Sequence, residues 1–446
     1  MNDRQNHQRR LQGAIKLNNN VNNNVNNNNS NNAANAGGAS GAKLWTRNFT
    51  TINVATVFGA IGGIASGYAM QFFVYNETGS TLLAAVLMAV RIVPGFLIPM
   101  LVAPIMDRLP RKPFLVGGDA AAAVIYGLGG LWLKFSDFNY GAYLAFTLLL
   151  SCVWSLDELA YNSFFPKLIP KGLEEKGYAA SSMLYPLVNV LVMPLAAVLY
   201  KTVGVANILL GQAVLSMIAS LVESTIRIKE EVKPGSRFSL GQWGGDVKDA
   251  VAYLRKEKGI LAFTLYSGVG GGIFTGVETI LVAFFSASPV LYSWFSVAEV
   301  AGRSIGGFLI YKKPVKREKK YRFALGVYLT YDSMDAALLW LPYPLMLVNR
   351  AICGFLGAQS STMRYAATQK YIPESMRARI NGFQSIVFLI FESTLSLAVG
   401  ALGDVMDLRV VMTICGLVCL ATCFLTIVRR KKYVEKIYMT DERNED

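Results

Sequence analysis

Apolar stretches long enough to cross a bilayer recur from Phe49 almost to Val428, with short polar breaks between them. A helix needs about 20 mainly apolar residues to traverse the hydrocarbon core. Twelve such spans can be drawn, roughly over 49–74, 80–103, 114–134, 141–165, 178–200, 205–227, 259–285, 289–311, 322–341, 344–369, 378–400 and 405–428. The ninth is the least regular, because Asp332 and Asp335 interrupt its apolar run. An all-α membrane protein is therefore expected.

The polar breaks organise the chain. Residues 1–47 are polar, with an asparagine-rich run over 18–32 followed by alanine, glycine and serine. Such a segment buries too little apolar surface to offset its ordering entropy, which predicts a disordered tail. No apolar core closely follows Arg9 and Arg10, so the tail is not a signal peptide and the first span acts as an uncleaved insertion signal. A linker over 229–258 separates two groups of six spans, 48–228 and 259–428, and 429–446 forms a second polar tail. Within the linker, Trp243, Val247, Ala250, Val251 and Leu254 share one helical face, away from Lys248, Arg255 and Lys256. A helix lying in the membrane interface and a linker helix packed on the bundle both satisfy that pattern.

The two groups repeat one another. Residues Gly59 to Gly67 (GAIGGIASG) align with Gly268 to Gly276 (GVGGGIFTG), and Arg91 to Ile98 (RIVPGFLI) with Arg303 to Ile310 (RSIGGFLI). A weaker match sets Lys167-Leu-Ile-Pro170 beside Lys370-Tyr-Ile-Pro373. Six spans per group make this a parallel repeat, whose substrate sites lie near midplane between the halves. The glycines in spans 1 and 7 permit close helix approach, or bending during alternating access. Pro94, Pro99, Pro186 and Pro194 are further weak points in spans 2 and 5.

Composition agrees: 53% of residues are hydrophobic and 16% charged, against about 25% charged in soluble domains. The net charge of +14 is one-sided. Of the 43 lysines and arginines, only Lys134, Lys201 and Arg409 fall in loops opposite the N-terminal side, and only Arg91, Arg303, Arg350 and Arg364 fall inside spans. By the positive-inside rule both termini are cytoplasmic, in a cytoplasmic (inner or plasma) membrane of bacterial type. The basic surplus faces anionic lipid headgroups rather than nucleic acid. Cys415, Cys419 and Cys423 form one helix face of packing residues, and His7 is the sole histidine, so neither metal nor disulfide is expected. The chain has no G-x-x-x-x-G-K-[ST], H-E-x-x-H or G-x-S-x-G motif. It is expected to be no enzyme, to carry no cofactor and to work as a monomer on a small-molecule substrate.

Charges kept inside spans carry the candidate chemistry, since each costs at least about 2.5–3.5 kcal/mol at the bilayer centre and points inward as a rule. They are Arg91, Glu278, Glu299, Arg303, Asp332, Asp335, Arg350, Arg364 and Glu392. Glu299 and Arg303 are i, i+4 and can neutralise each other. Arg91 has no acid within a turn, so it needs another span, water or an anion. If Arg91 and Arg303 are repeat mates across a cavity, they favour substrates with an anionic part. Glu278, Glu299 and Glu392 instead suit proton exchange or a cationic drug. Asp332 and Asp335 are expected to cap a distorted helix near the outer leaflet.

Between spans 2 and 3 runs Ala103-Pro-Ile-Met-Asp-Arg-Leu-Pro-Arg-Lys112. It resembles the G-x-x-x-D-R-x-x-R-K loop of the major facilitator superfamily, with Ala103 in place of the glycine. Lys312 to Lys320 is a degenerate second copy. Thr78-Gly-Ser80, Asp119, Asn162 to Pro170 and the helix 246–258 resemble the drug-efflux branch, which includes macrolide and siderophore exporters. The resemblance implies the major facilitator fold, two pseudo-symmetric six-helix bundles. It also implies that Asp107, Arg108, Arg111 and Asp157, beside Glu158, form a gating charge relay that locks the outward-facing state. A static salt bridge is the plainer reading. The expected function is efflux of small amphipathic compounds, driven by a proton gradient. A metabolite uniporter or symporter and a non-transporting sensor on a transporter scaffold are the alternatives.

Overall fold

The computed structural model describes residues 43–106, 109–228, 230, 240–312 and 315–440. The tail before Lys43 and most of the polar linker lie outside the described residues, as do Asp107 and Arg108 of the loop signature. Among the described residues there are no strands. The helices are α1 (Arg47–Thr78), α2 (Thr81–Met106), α3 (Lys112–Phe135), α4 (Tyr140–Phe164), α5 (Glu174–Ser224), α6 (Leu240–Lys256), α7 (Lys258–Phe284), α8 (Pro289–Lys312), α9 (Arg317–Ala337), α10 (Tyr343–Tyr371), α11 (Glu374–Val405), α12 (Leu408–Cys423) and α13 (Lys431–Met439).

Local chemistry sets the boundaries. The Thr46 side chain accepts from Phe49 N at the start of α1, and Gly79 ends it at φ 64°, a conformation that glycine adopts without strain. Asn139 caps α4 and Asp407 caps α12 in the same way. The 51 residues of α5 are two crossings, broken at Gly204, where φ is 76° and ψ 168°. Among the described residues, eight stretches are long and apolar enough to cross a membrane, and one of them, Lys176–Ser224, contains that break. The helices α8, α9 and α10 complete twelve crossings; their charged residues keep them below the apolarity of the rest.

In the first half α1 and α3 pack on α5, and α2 and α3 on α4. In the second, α8 packs on α10, α7 on α11, and α12 on α9 and α7. Chiefly α2 against α11 and α5 against α8 join the halves. Glycines of the second half, Gly272 of the repeat among them, serve close approach. A Cβ at Gly272 would stand 2.3 Å from Phe391 O of α11, one at Gly302 2.0 Å from Ala351 O of α10, and one at Gly354 2.2 Å from Glu299 O of α8. The α8–α10 contact is thus backbone against backbone.

Asn48 Nδ2 donates to Arg227 O, and Arg430 Nη1 to Lys258 O, so the first and last crossings of each half meet on one face, here the terminal face. At the opposite, far face the halves are sealed. Asp404 of α11 accepts from Ser80 Oγ and Thr81 N, both at 2.6 Å, and from Thr81 Oγ1 at 2.8 Å. It thereby caps the N-terminus of α2 from the other half. The Tyr68 hydroxyl donates to Pro289 O, and Tyr292 meets Tyr68 and Phe72 at ring separations of 6.0 and 5.3 Å. In the terminal-side part of the seam, α2 and α11 instead border a cavity of about 510 Å³.

The linker helix resolves one of the two open readings. Ala250 and Leu254 of α6 are buried, and α6 packs on α11 and α7, with Arg379 Nη1 3.0 Å from Asp249 Oδ2. It is a packed helix that rides on the second half. Trp243 and Val247 fall outside the described side chains.

Candidate functional site

Close approach of α8 and α10 puts Glu299 beside Arg350, and α9 supplies the third side chain. Arg303 Nη2 donates to Glu299 Oε1 at 3.0 Å. Glu299 Oε2 lies 3.9 Å from Arg350 Nη1, and Arg350 Nη2 lies 3.2 Å from Asp335 Oδ1. Arg350 is 1% exposed and its guanidinium sits 5.0 Å from the Phe295 ring centroid. The Arg350–Asp335 contact is within ion-pair range, yet Asp335 Oδ1 accepts no hydrogen bond. The pair is held by charge with imperfect alignment, and Arg350 Nε and Nη1 keep donors unused. Asn349 Nδ2 donates to Met334 O at 2.9 Å, which pins α10 to α9 at the same level.

This row of charge reaches the seam. Glu278 of α7 borders a small void of about 10 Å³ with Gln71 of α1 and Met88 of α2. It is within electrostatic reach of Glu299 and Arg350 on its own side and of Arg91 on the other. Arg91 makes no hydrogen bond among the described residues and lies near Tyr126, Tyr143 and Tyr185. A basic group of one half is therefore within electrostatic reach of an acid of the other, with further ion pairs continuing behind the acid. Glu392 lies apart, in the 510 Å³ cavity, its Oε1 3.4 Å from where a Cβ of Gly271 would be.

Two expectations need correction. Arg91 and Arg303 do not form a matched pair of free cations. Arg303 is neutralised by Glu299 and half exposed, while Arg91 is within electrostatic reach of Glu278. Asp332 and Asp335 do not cap a helix end at the outer leaflet. Asp332 is buried and Asp335 half-buried within α9, and both point inward, because Arg350 and Tyr266 offer partners there. Finally, Arg350 is the most buried ionic group of the site, although nothing on its own helix marks it out. A count of opposite charges over spans 8 to 10 would have flagged the group without pairing its members.

Of the gating residues, Asp107 and Arg108 lie outside the described residues. The Arg111 and Lys112 backbone N–H groups donate to Glu230 at 2.8 and 2.9 Å, and Lys167 Nζ is 3.6 Å from the same carboxylate. Glu230 thus caps α3, a role with no local signal in the sequence. Asp157 of α4 packs against Gly118 of α3, within electrostatic reach of Asp119 and, through it, Glu223. Three acids from three helices gather near the terminal face.

No protein-family model matches the chain. Macrolide efflux protein A of Streptococcus pyogenes is 24% identical over 302 residues, which is 65% of this chain and 74% of that protein. The MFS-type transporter YkuC of Bacillus subtilis (strain 168) is 24% identical over 387 residues, 80% of this chain and 85% of that one. Among solved structures, the nucleoside transporter NupG superposes with a TM-score of 0.67 at 11% identity, covering 86% of this chain and 99% of NupG. A bacterial homologue of the human lysosomal transporter Spinster, inward-facing and unoccupied, gives 0.61 at 12% identity, covering 89% and 98%. The chain has the major facilitator fold; of the relatives it resembles in sequence, one is named a macrolide efflux protein and another an MFS-type transporter.

Proposed function

We propose that this multi-pass membrane transporter of the major facilitator type exports small amphipathic compounds by alternating access, in exchange for protons. The observation that carries the reading is the unequal seam. Its far end is closed by the Asp404 cap and the Tyr68–Tyr292 cluster, and its terminal-side part holds the 510 Å³ cavity with Glu392 in its wall. With both termini in the cytoplasm of a bacterial-type cell, this is an inward-open state able to admit a compound from the cytoplasm. Mostly apolar walls with one unpaired carboxylate fit an amphiphile bearing a cation. The names of the macrolide efflux relatives support the direction.

The coupling proton is assigned to Glu278 or Glu299. Glu278 sits where the halves meet, so a change in its protonation alters the attraction to Arg91 across the surface that must slide. Closing the terminal-side cavity would engage the relay of Asp107, Arg108, Arg111 and Asp157. The test is efflux of a cationic dye from proteoliposomes under an imposed pH gradient. Wild type is expected to follow the gradient, and Glu278→Gln or Glu299→Gln to lose that dependence. Unchanged gradient dependence in both variants would remove the assignment, and wild-type transport indifferent to the gradient would replace exchange with uniport.

A further inference from the structure

The second half also holds a partly open chamber of its own. Residues of α7, α8, α9, α10 and α12 surround about 350 Å³, at the lower end of the roughly 300–1,000 Å³ typical of small-molecule sites. Four charged side chains line its wall: Arg303 and Asp335 are paired with Glu299 and Arg350, whereas Asp332 and Arg364 stand without an ion-pair partner among the described residues. Asp332 is 4% exposed, and its side chain has a single hydrogen-bonding partner, the Tyr266 hydroxyl, at 3.2 Å. Arg364 Nη1 donates to Tyr328 Oη at 3.3 Å, and the guanidinium lies 5.8 Å from the centre of that ring. The rings of Tyr266 and Tyr328 are 4.7 Å apart, so the tyrosine pair links the two charges while keeping them separate. Neither charge has an ion-pair partner among the described residues.

A buried carboxylate and a buried guanidinium attract strongly in a low dielectric, and a fold selected for stability alone would let them meet. Here each is oriented by a tyrosine hydroxyl and faces shared open space. An ammonium group near Asp332 would also meet aromatic faces, which favour cations. A carboxylate near Arg364 would meet the planar fork that matches it in two hydrogen bonds. We propose that this chamber binds a small zwitterion carrying an ammonium and a carboxylate, engaged by Asp332 and Arg364 respectively. Its walls belong to one half, so the occupant moves with that half and is distinct from cargo in the seam. Through Asp332 its charge lies next to the Asp335–Arg350 pair, which makes the site a modulatory one.

The experiment is calorimetric titration of the full-length protein in lipid nanodiscs with glycine, β-alanine, γ-aminobutyrate and 6-aminohexanoate, in which the two charges lie progressively farther apart. Acetate and methylammonium are the single-charge controls. At least one zwitterion is expected to bind more tightly than about 1 mM, and Asp332→Asn and Arg364→Gln each to weaken it about tenfold or more. Gly357→Leu keeps both charges and fills the chamber. A Cβ at Gly357 would lie 3.7 Å from the Tyr331 ring, an ordinary contact, so this variant should fold and lose binding. Absence of binding by all four zwitterions overturns the proposal. So does equal binding by the single-charge controls, or binding that survives in all three variants.

Discussion

Arg350→Gln is expected to destabilise the protein by about 3–5 kcal/mol, the cost of leaving one side of a buried ion pair uncompensated. Arg350 is 1% exposed and is the cation shared by Glu299 and Asp335, which reach it from α8 and α9. Its loss would leave carboxylates from two helices beside Phe295 and beside each other. Arg303 offsets part of the Glu299 charge, but no other base contacts Asp335 among the described residues. The measurement is the apparent melting temperature in detergent, with Asp335→Asn and Glu299→Gln added to the variant. If charge is the cause, removing the orphaned acids should restore most of the lost stability. Melting of the single variant at the wild-type temperature would show that the pair contributes nothing.

The second large effect is expected at the far face. Asp404→Ala removes the cap that the second half places on the first turn of α2, together with bonds to the Ser80 and Thr81 hydroxyls. A helix cap contributes about 0.5–2 kcal/mol, and the exposure of Asp404 places this one in the lower part of that range. A change of about 1 kcal/mol shifts the balance between far-face-closed and far-face-open states about fivefold. Gly400 and Gly403 let α11 approach α2 closely, so closure depends on this contact rather than on loose loops. Hydrogen exchange reads the shift directly, because the segments around Tyr68 to Phe72 and Pro289 to Tyr292 are protected by the same seal. Their exchange should quicken by that factor while the α8–α10 contact is unaffected. Unaltered exchange at these segments would mean that the aromatic cluster alone keeps the face shut.

The two sites were legible in the sequence to different degrees. Glu299 and Arg303 announce their pairing by i, i+4 spacing, and the structure places them at 3.0 Å. Arg350 had no such neighbour, so only the meeting of three helices could supply its partners. Asp332 and Asp335 were misplaced because a polar break in an apolar run looks the same whether it marks a helix end or an inward-facing pair. Asp404 stands after a glycine-rich stretch at the end of a span, with nothing local to show that it serves another helix 323 residues away. The linker helix shows the same limit: its apolar face was plain, and the choice between bilayer and protein as its cover was not.

The sequence by itself determined the number and approximate limits of the crossings, the division into repeated halves, the one-sided distribution of positive charge and the set of intramembrane ionisable groups. These follow from length, hydropathy and spacing along one helix, which are properties of local chain. Only the tertiary structure decided which charges meet, which face of α9 turns inward, which end of the seam is shut and that the second half holds a chamber. In a bilayer the lipid-facing and buried sides of a helix are both apolar, so periodicity marks a face without saying what lies against it. That depends on crossing angles and axial offsets between helices far apart in the chain. Backbone contacts at glycines such as Gly302 and Gly354 set those offsets.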